Sequence, residues 1–294
     1  MKHDPSSMRE NPPQTRVPTH LTPTFDPGTV WLAGAGPGDP GLLTLHALNA
    51  LNRADVIVHD ALVDARVLSL AHANAVLEFA GKRGGKPSAT QGDITERLIV
   101  LARQGKRVLR LKGGDPFIFG RGCEEAEALV QAGISFRIIP GVSSGLAGLA
   151  LHGVPATSRD TNHAVILATG HGAEGQELDF KALAQARVPL VLYMAVSRMG
   201  GIVTDLLEGG LAPETPALAI HAVSTGQEEV VETTLAELPT RAAEGAIRSP
   251  SVVAIGAIAA LRKRLEAGLL NAMPAPAADD FMREAALPTP SGQP

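Results

Sequence analysis

Apolar residues along this chain come in short bursts separated by glycine-rich polar breaks. Residues 30–35, 55–60, 75–80, 108–111 and 136–139 form five such bursts, each of strand length. Between them the spacing turns helical. From Ile94, apolar residues Leu98, Leu101 and Ala102 fall at i, i+4, i+7 and i+8, with Glu96, Arg97 and Arg103 left for solvent. Residues 42–54 read as a helix in the same way. Strands alternating with helices predict a parallel α/β domain over residues 28–142. A second set of bursts starts at residue 164 and continues at 190–195, 217–223, 230–235 and 252–258. The polar stretch between 217–223 and 230–235 is too short for a helix, so these two strands should pair antiparallel. The expectation is a second α/β domain over residues 143–266 with a mixed sheet. Residues 141–155, small and apolar, form its first helix and the joint. Pro, Ser, Thr and charge dominate residues 1–27, and Ala and Pro dominate 267–294; both are expected to be disordered tails.

A length of 294 residues suffices for two domains, each with its own core. The net charge of −4 gives no overall drive toward nucleic acid. No apolar run reaches bilayer length and the first stretch lacks the apolar core of a secretory signal, so a cytoplasmic protein with no membrane partner is expected. The single cysteine, Cys123, rules out an internal disulfide and a multi-cysteine metal site, and reads as a small packing residue. His163, His171 and His221 lack metal-ligand spacing, so no metal is expected.

The chemistry concentrates where strands break. The run ending at Lys112 gives way to Gly113-Gly-Asp-Pro, in which two glycines let a ligand approach the backbone and Asp115-Pro116 sets a turn before Arg121 opens the next helix. An ordinary strand-to-helix loop is the plain alternative. Gly34-Ala-Gly-Pro-Gly-Asp resembles a dinucleotide loop but fails in detail. Asp39 stands where the fingerprint needs its third glycine, Pro37 has no N–H to donate, and a carboxylate there repels pyrophosphate. A ligand with a cationic centre and no phosphate fits better, and S-adenosylmethionine is one. Lys82, Arg83 and Lys86 share one loop and, with Lys112 and Arg121 near the same sheet edge, suit a polyanionic substrate. A solvated charge run is the alternative. Asp60, closing the second strand, is a general base or a turn residue. Ser143-Ser144 is a helix N-cap or a ligand contact.

In order and spacing, Gly34-Ala-Gly-Pro-Gly-Asp-Pro-Gly-Leu-Leu-Thr, Asp55-Val-Ile-Val-His-Asp, Gly81-Lys-Arg-Gly, Gly113-Gly-Asp-Pro-Phe-Ile-Phe-Gly-Arg-Gly, Pro140-Gly-Val-Ser-Ser and Tyr193-Met194 resemble the tetrapyrrole methylase superfamily. Within it they are similar to the uroporphyrinogen-III C-methyltransferases over about residues 28–264. The resemblance implies a homodimer of two-domain subunits that holds S-adenosylmethionine between domains. It also implies methylation of C2 and C7 of uroporphyrinogen III, giving precorrin-2 for sirohaem or cobalamin. By motif position, Pro37, Gly113, Gly114, Asp115, Ile118, Ser143, Ser144, Met194 and Val223 would contact the cofactor. Asp60 and Lys82 take the positions of proton acceptor and donor, and Arg83 and Arg121 would hold substrate carboxylates. The chain departs from the pattern at Ser143-Ser144, where Thr-Ala is usual, and at Cys123, where glycine is usual. Without the dehydrogenase and ferrochelatase domain of fused sirohaem synthases, it is expected only to methylate. A methylase of a later precorrin and a non-catalytic S-adenosylmethionine-binding module are the alternatives.

Overall fold

The computed structural model describes residues 18–81, 91–172 and 177–269. In the first half, β1 (Val30–Gly34), β2 (Val56–His59), β3 (Val76–Phe79), β4 (Val108–Lys112) and β5 (Phe136–Ile139) form a sheet of order β3-β2-β4-β1-β5. Every neighbouring pair is parallel, as the alternation with helices predicts. All residues of β1 and β4 are buried, because helices cover both faces. On one face α1 (Leu45–Leu51) and α2 (Ala65–Leu68) set Ala47, Ala50, Leu51 and Val67 against Trp31, Ala33, Leu109 and Leu111. On the other, α3 (Gln91–Arg103) and α4 (Gly122–Gln131) set Leu98, Leu101 and Leu129 against Val30, Leu32 and Val108. Each such leucine, fully buried, contributes about 1.5–3 kcal/mol.

Capping trims the predicted first helix. Thr44 Oγ1 accepts from Ala47 N at 3.2 Å and starts α1, while residues 40–42 form a separate 3-10 turn capped by Asp39. Phe25 lies within residues 1–27, which were expected to form a tail, yet it is packed. Phe25 is 3% exposed and stacks on Trp31 with ring centroids 4.3 Å apart, so one aromatic ties down a segment otherwise rich in Pro and Thr. Cys123 is a correction: it is exposed, not a packing residue. The buried face of α4 is Gly122, Glu125, Ala126 and Leu129, which turns position 123 outward.

In the second half, α5 (Ser144–Leu151) leads into β6 (Ile166–Thr169), α6 (Phe180–Gln185), β7 (Leu190–Tyr193), α7 (Met199–Glu208), β8 (Pro216–His221), β9 (Glu229–Thr234), α8 (Leu238–Ala243) and β10 (Ser251–Ile255). The sheet order is β6-β7-β10-β8-β9. Only β6–β7 is parallel, and β8 pairs antiparallel with β9 with Ile220 opposite Val230, so the sheet is mixed as expected. α6, α7 and α8 cover one face through Phe180, Ala184, Met199, Ile202, Leu206 and Leu238. α5 covers the other through Ala147 and Leu149.

The topology places an opening. β1 and β4 are neighbours, yet α1 leaves β1 toward one face and α4 leaves β4 toward the other. A crevice therefore opens between their C-terminal ends, where ligands bind in open α/β sheets.

Candidate active site at the strand ends

Three loops meet in that crevice, and glycine permits the meeting. Gly36 and Gly114 exchange backbone hydrogen bonds, Gly114 N to Gly36 O at 2.7 Å and Gly36 N to Gly114 O at 3.2 Å. A Cβ on Gly34 would collide with Gly114 O and the Cα of Gly141, and one on Gly141 would collide with Gly114 O and the Cα of Gly34. The ends of β1, β4 and β5 are thus knotted backbone to backbone. Asp115 ties the knot with both oxygens. Oδ1 accepts from Phe117 N at 2.8 Å, forming the predicted turn, and Oδ2 accepts from Gly141 N at 2.9 Å. Gly114 itself takes φ 68°, and a Cβ there would fill a space 3.7–3.8 Å from Ser144 N and Ser143 Cα. That leaves a cradle between the β4 loop and the start of α5.

The end of β2 joins the same place. Asp60 Oδ1 accepts from Leu62 N at 2.9 Å, so Asp60 does form a turn. The turn carries Leu62 onto Gly113, where a Cβ would lie 2.6 Å from Leu62 Cβ. Asp60 therefore stands beside the β4 loop.

From the second half come the ends of β7 and β8. Tyr193 is 8% exposed, and its Oη lies 2.8 Å from Ser143 Oγ and accepts from Gly145 N at 3.1 Å. Burial pushes the Tyr193 phenol up, the bonds to Ser143 and Gly145 only partly opposing it, so the hydroxyl stays protonated. Ser143 occupies the N-cap of α5 without capping it through its side chain. Phe119 from the β4 loop closes on Tyr193, ring centroids 5.0 Å apart. Met194 follows at φ 51°, a left-handed conformation that costs a non-glycine residue about 1–3 kcal/mol, and its side chain is exposed. Ile118 is also exposed, so two apolar side chains face outward near the cradle. Val223 is different: its side chain is buried in the core against Gly148, and its carbonyl oxygen would lie 3.0 Å from a Cβ on Gly38. Ser144 and Pro37 are partly buried at the rims of their loops.

Two expected cations are placed elsewhere. Lys112 is a correction, since it is no surface cation. Alternation on β4 sends Arg110 and Lys112 to the α4 face, where both lie 3.1 Å from Glu125 Oε1 and all three are almost wholly buried. Gln91 Nε2 donates to the same oxygen at 2.8 Å. Burial, then repulsion from Arg110, pulls the Lys112 ammonium below its usual range. Arg121 is exposed, adopts φ 57° and is bidentate to Glu124, at one end of a groove of about 520 Å³ between α3 and α4. Its side chain runs along α4, not into the crevice. Lys82 and Arg83 lie outside the described residues. Among the described residues, no group of three His, Cys, Asp or Glu side chains is placed to hold a metal ion, and no helix is long and apolar enough to cross a membrane.

The sequence reading overlooked Tyr193 Oη and the buried carboxylate of Glu125. Tyr193 is the chain's sole tyrosine, which is the one signal available for it.

The family model of Tetrapyrrole (Corrin/Porphyrin) Methylases matches residues 29–239, which include every one of these loops. Uroporphyrinogen-III C-methyltransferase of Sinorhizobium sp. is 51% identical over 247 residues, covering 83% of this chain and 88% of that protein. Siroheme synthase of Edwardsiella ictaluri (strain 93-146) is 45% identical over 241 residues, covering 82% of this chain and 52% of that protein. The chain thus spans about half the length of the siroheme synthases it matches. Among solved structures, uroporphyrin-III C-methyl transferase from Thermus thermophilus, complexed with S-adenyl homocysteine, aligns with a TM-score of 0.69 at 38% identity, covering 79% of this chain and 99% of that one. With the strand-end loops in the family's order and the match running over most of its length, the chain belongs to the tetrapyrrole (corrin/porphyrin) methylases.

Proposed function

We propose that this chain transfers two methyl groups from S-adenosylmethionine to C2 and C7 of uroporphyrinogen III, giving precorrin-2. The observation that carries the reading is the convergence of Asp60, the Gly113-Gly114-Asp115 turn, Ser143 and the Tyr193-Met194 corner on one crevice. These residues fit the cofactor. The cradle beside Gly114 admits close backbone approach, Ile118 and Met194 offer apolar cover, and the loops present carboxylates but no phosphate-binding N–H at Pro37. When bound, S-adenosylmethionine supplies an electrophilic methyl on a sulfonium. Pro37, Gly113, Gly114, Asp115, Ile118, Ser143, Ser144, Met194 and Val223 would hold it, between domains of residues 28–142 and 143–266.

Methyl transfer to carbon needs orientation and exclusion of water more than covalent help from protein. The nucleophile is an electron-rich pyrrole carbon of the substrate, and its attack leaves a cationic ring. Asp60 then stabilises that cation or accepts a proton from the adjacent bridge carbon. Lys82 is the proton donor by resemblance, and Arg83 and Arg121 hold acetate and propionate groups. For Arg121 this requires exchanging Glu124 for a substrate carboxylate, which its exposed position permits. The assembly implied by the resemblance is a cytoplasmic homodimer that uses no metal, nucleic acid or membrane.

Anaerobic incubation with methyl-labelled S-adenosylmethionine and uroporphyrinogen III tests the reading. Label in the macrocycle supports it; label left on the cofactor, with the protein folded, overturns it.

A further inference from the structure

The loops that carry Pro37 and Val223 come from opposite halves of the chain, and one side chain bridges them. Arg66, in the four-residue α2, is held by Asp64, with Nε donating to Oδ1 at 3.0 Å and Nη2 to Oδ2 at 2.9 Å. The same Nη2 reaches Ser224 O at 3.0 Å and Gly38 O at 3.5 Å. Those two carbonyls belong to the residues immediately after Val223 and Pro37. The guanidinium side chain is 17% exposed, so solvent screens these bonds only in part.

Other contacts show that the two loops meet and that one of them is strained. Asp39 N donates to Ser224 Oγ at 2.9 Å. A Cβ on Gly38 would lie 2.7 Å from Thr225 Cγ2 and 3.0 Å from Val223 O, so only glycine lets the backbones pass. Ala222 and Ser224 sit at φ 45° and 56°, a conformation that non-glycine residues keep only when their surroundings impose it. Glu228 supplies part of that from behind, Oε2 accepting from Ser224 N at 2.5 Å and Oε1 lying 3.2 Å from His152.

We infer that Arg66 is a positioning residue that clamps the β1 and β8 loops in the arrangement that receives S-adenosylmethionine. The inference rests on the function proposed above. Arg66 does not touch the reacting atoms. It removes a search: without the fork, the two loops sample separations in which one or the other wall of the cofactor site is withdrawn, and apparent affinity falls with the fraction of competent arrangement. A single ammonium in place of the guanidinium cannot hold Asp64 bidentately while also donating to two carbonyls.

The test is calorimetric titration of the full chain and of Arg66→Ala and Arg66→Lys with S-adenosylhomocysteine, at a temperature well below the melting point of each ligand-free protein. Both variants should bind about tenfold more weakly, and the KM for S-adenosylmethionine should rise while that for uroporphyrinogen III is unchanged. Affinity within twofold of the unmodified chain in Arg66→Ala overturns the clamp, as does full recovery in Arg66→Lys, which would leave charge alone as the requirement. Should Arg66→Ala fail to fold, Arg66→Lys decides by the same criterion. Failure of the unmodified chain to bind S-adenosylhomocysteine would instead overturn the functional reading itself, so the two failures are distinct.

Discussion

Asp60 and Ser143 show what single residues can and cannot reveal before a structure is known. Asp60 at a strand end reads as a turn residue or a base; one oxygen holds Leu62 N in a turn, and that turn sets the carboxylate beside Gly113, where the proposed proton transfer would use it. Asp60→Asn should keep the turn, since an amide oxygen also accepts. It should retain S-adenosylhomocysteine affinity and lower kcat by about 10²–10⁴-fold, the usual range for a lost general base. Full turnover in steady-state assays would remove Asp60 from the proton transfer. Ser143 was harder to read. Its side chain neither caps α5 nor points to local partners, because it bonds a hydroxyl fifty positions away on β7. No local pattern encodes that contact. Cys123 failed for a related reason: its place on the outer side of α4 depends on which face of the helix meets the sheet.

At the scale of the element, β4 carries both the fold and the site. Its neighbours were legible because runs such as Val-Leu-Arg-Leu-Lys can be covered on both faces, and all ten expected strands form within a few residues of their predicted ends. Its charges were not legible as core. Arg110 and Lys112 share one buried carboxylate, Glu125, whose Oε2 has no hydrogen-bond partner among the described residues. Taking Glu125 away would leave two uncompensated buried cations directly beneath the Gly113-Gly114 turn. Glu125→Ala should therefore destabilise the chain by about 3–5 kcal/mol in denaturant unfolding. A loss under 1 kcal/mol would mean that solvent or another anion reaches the cations. Adding Lys112→Met should return part of the loss, since it removes one of the two uncompensated buried cations.

The whole molecule is two sheets whose strand-end loops meet, and Glu228 behind Ser224 should make their fastening weaken in acid. Burial acts to raise the Glu228 carboxyl, but His152 at 3.2 Å and the hydrogen bond from Ser224 N outweigh it and hold it below the usual carboxylate range. A depressed folded-state value means the stabilisation is complete above the unfolded carboxylate range, near pH 4.5, and is lost as pH falls through the lower folded value. Glu228→Gln should accordingly flatten the acid limb of the stability curve below about pH 4.5; an unchanged limb in acid titrations would assign it to other carboxylates. How the halves face each other was the least legible feature in the sequence, because Arg66 and Ser224 lie outside every motif and Arg66 acts through backbone carbonyls brought from 158 and 28 positions away. The presence of a two-sheet methylase could be read from its loops; the fastening between the sheets could not.

The central claim is double methylation of one macrocycle, and product mass tests it most directly. After anaerobic incubation of the full chain with excess S-adenosylmethionine and uroporphyrinogen III, the oxidised product should have gained two methyl groups, with two equivalents of S-adenosylhomocysteine released. A product that gains a different number, or none while S-adenosylhomocysteine binding persists, would contradict the assigned reaction.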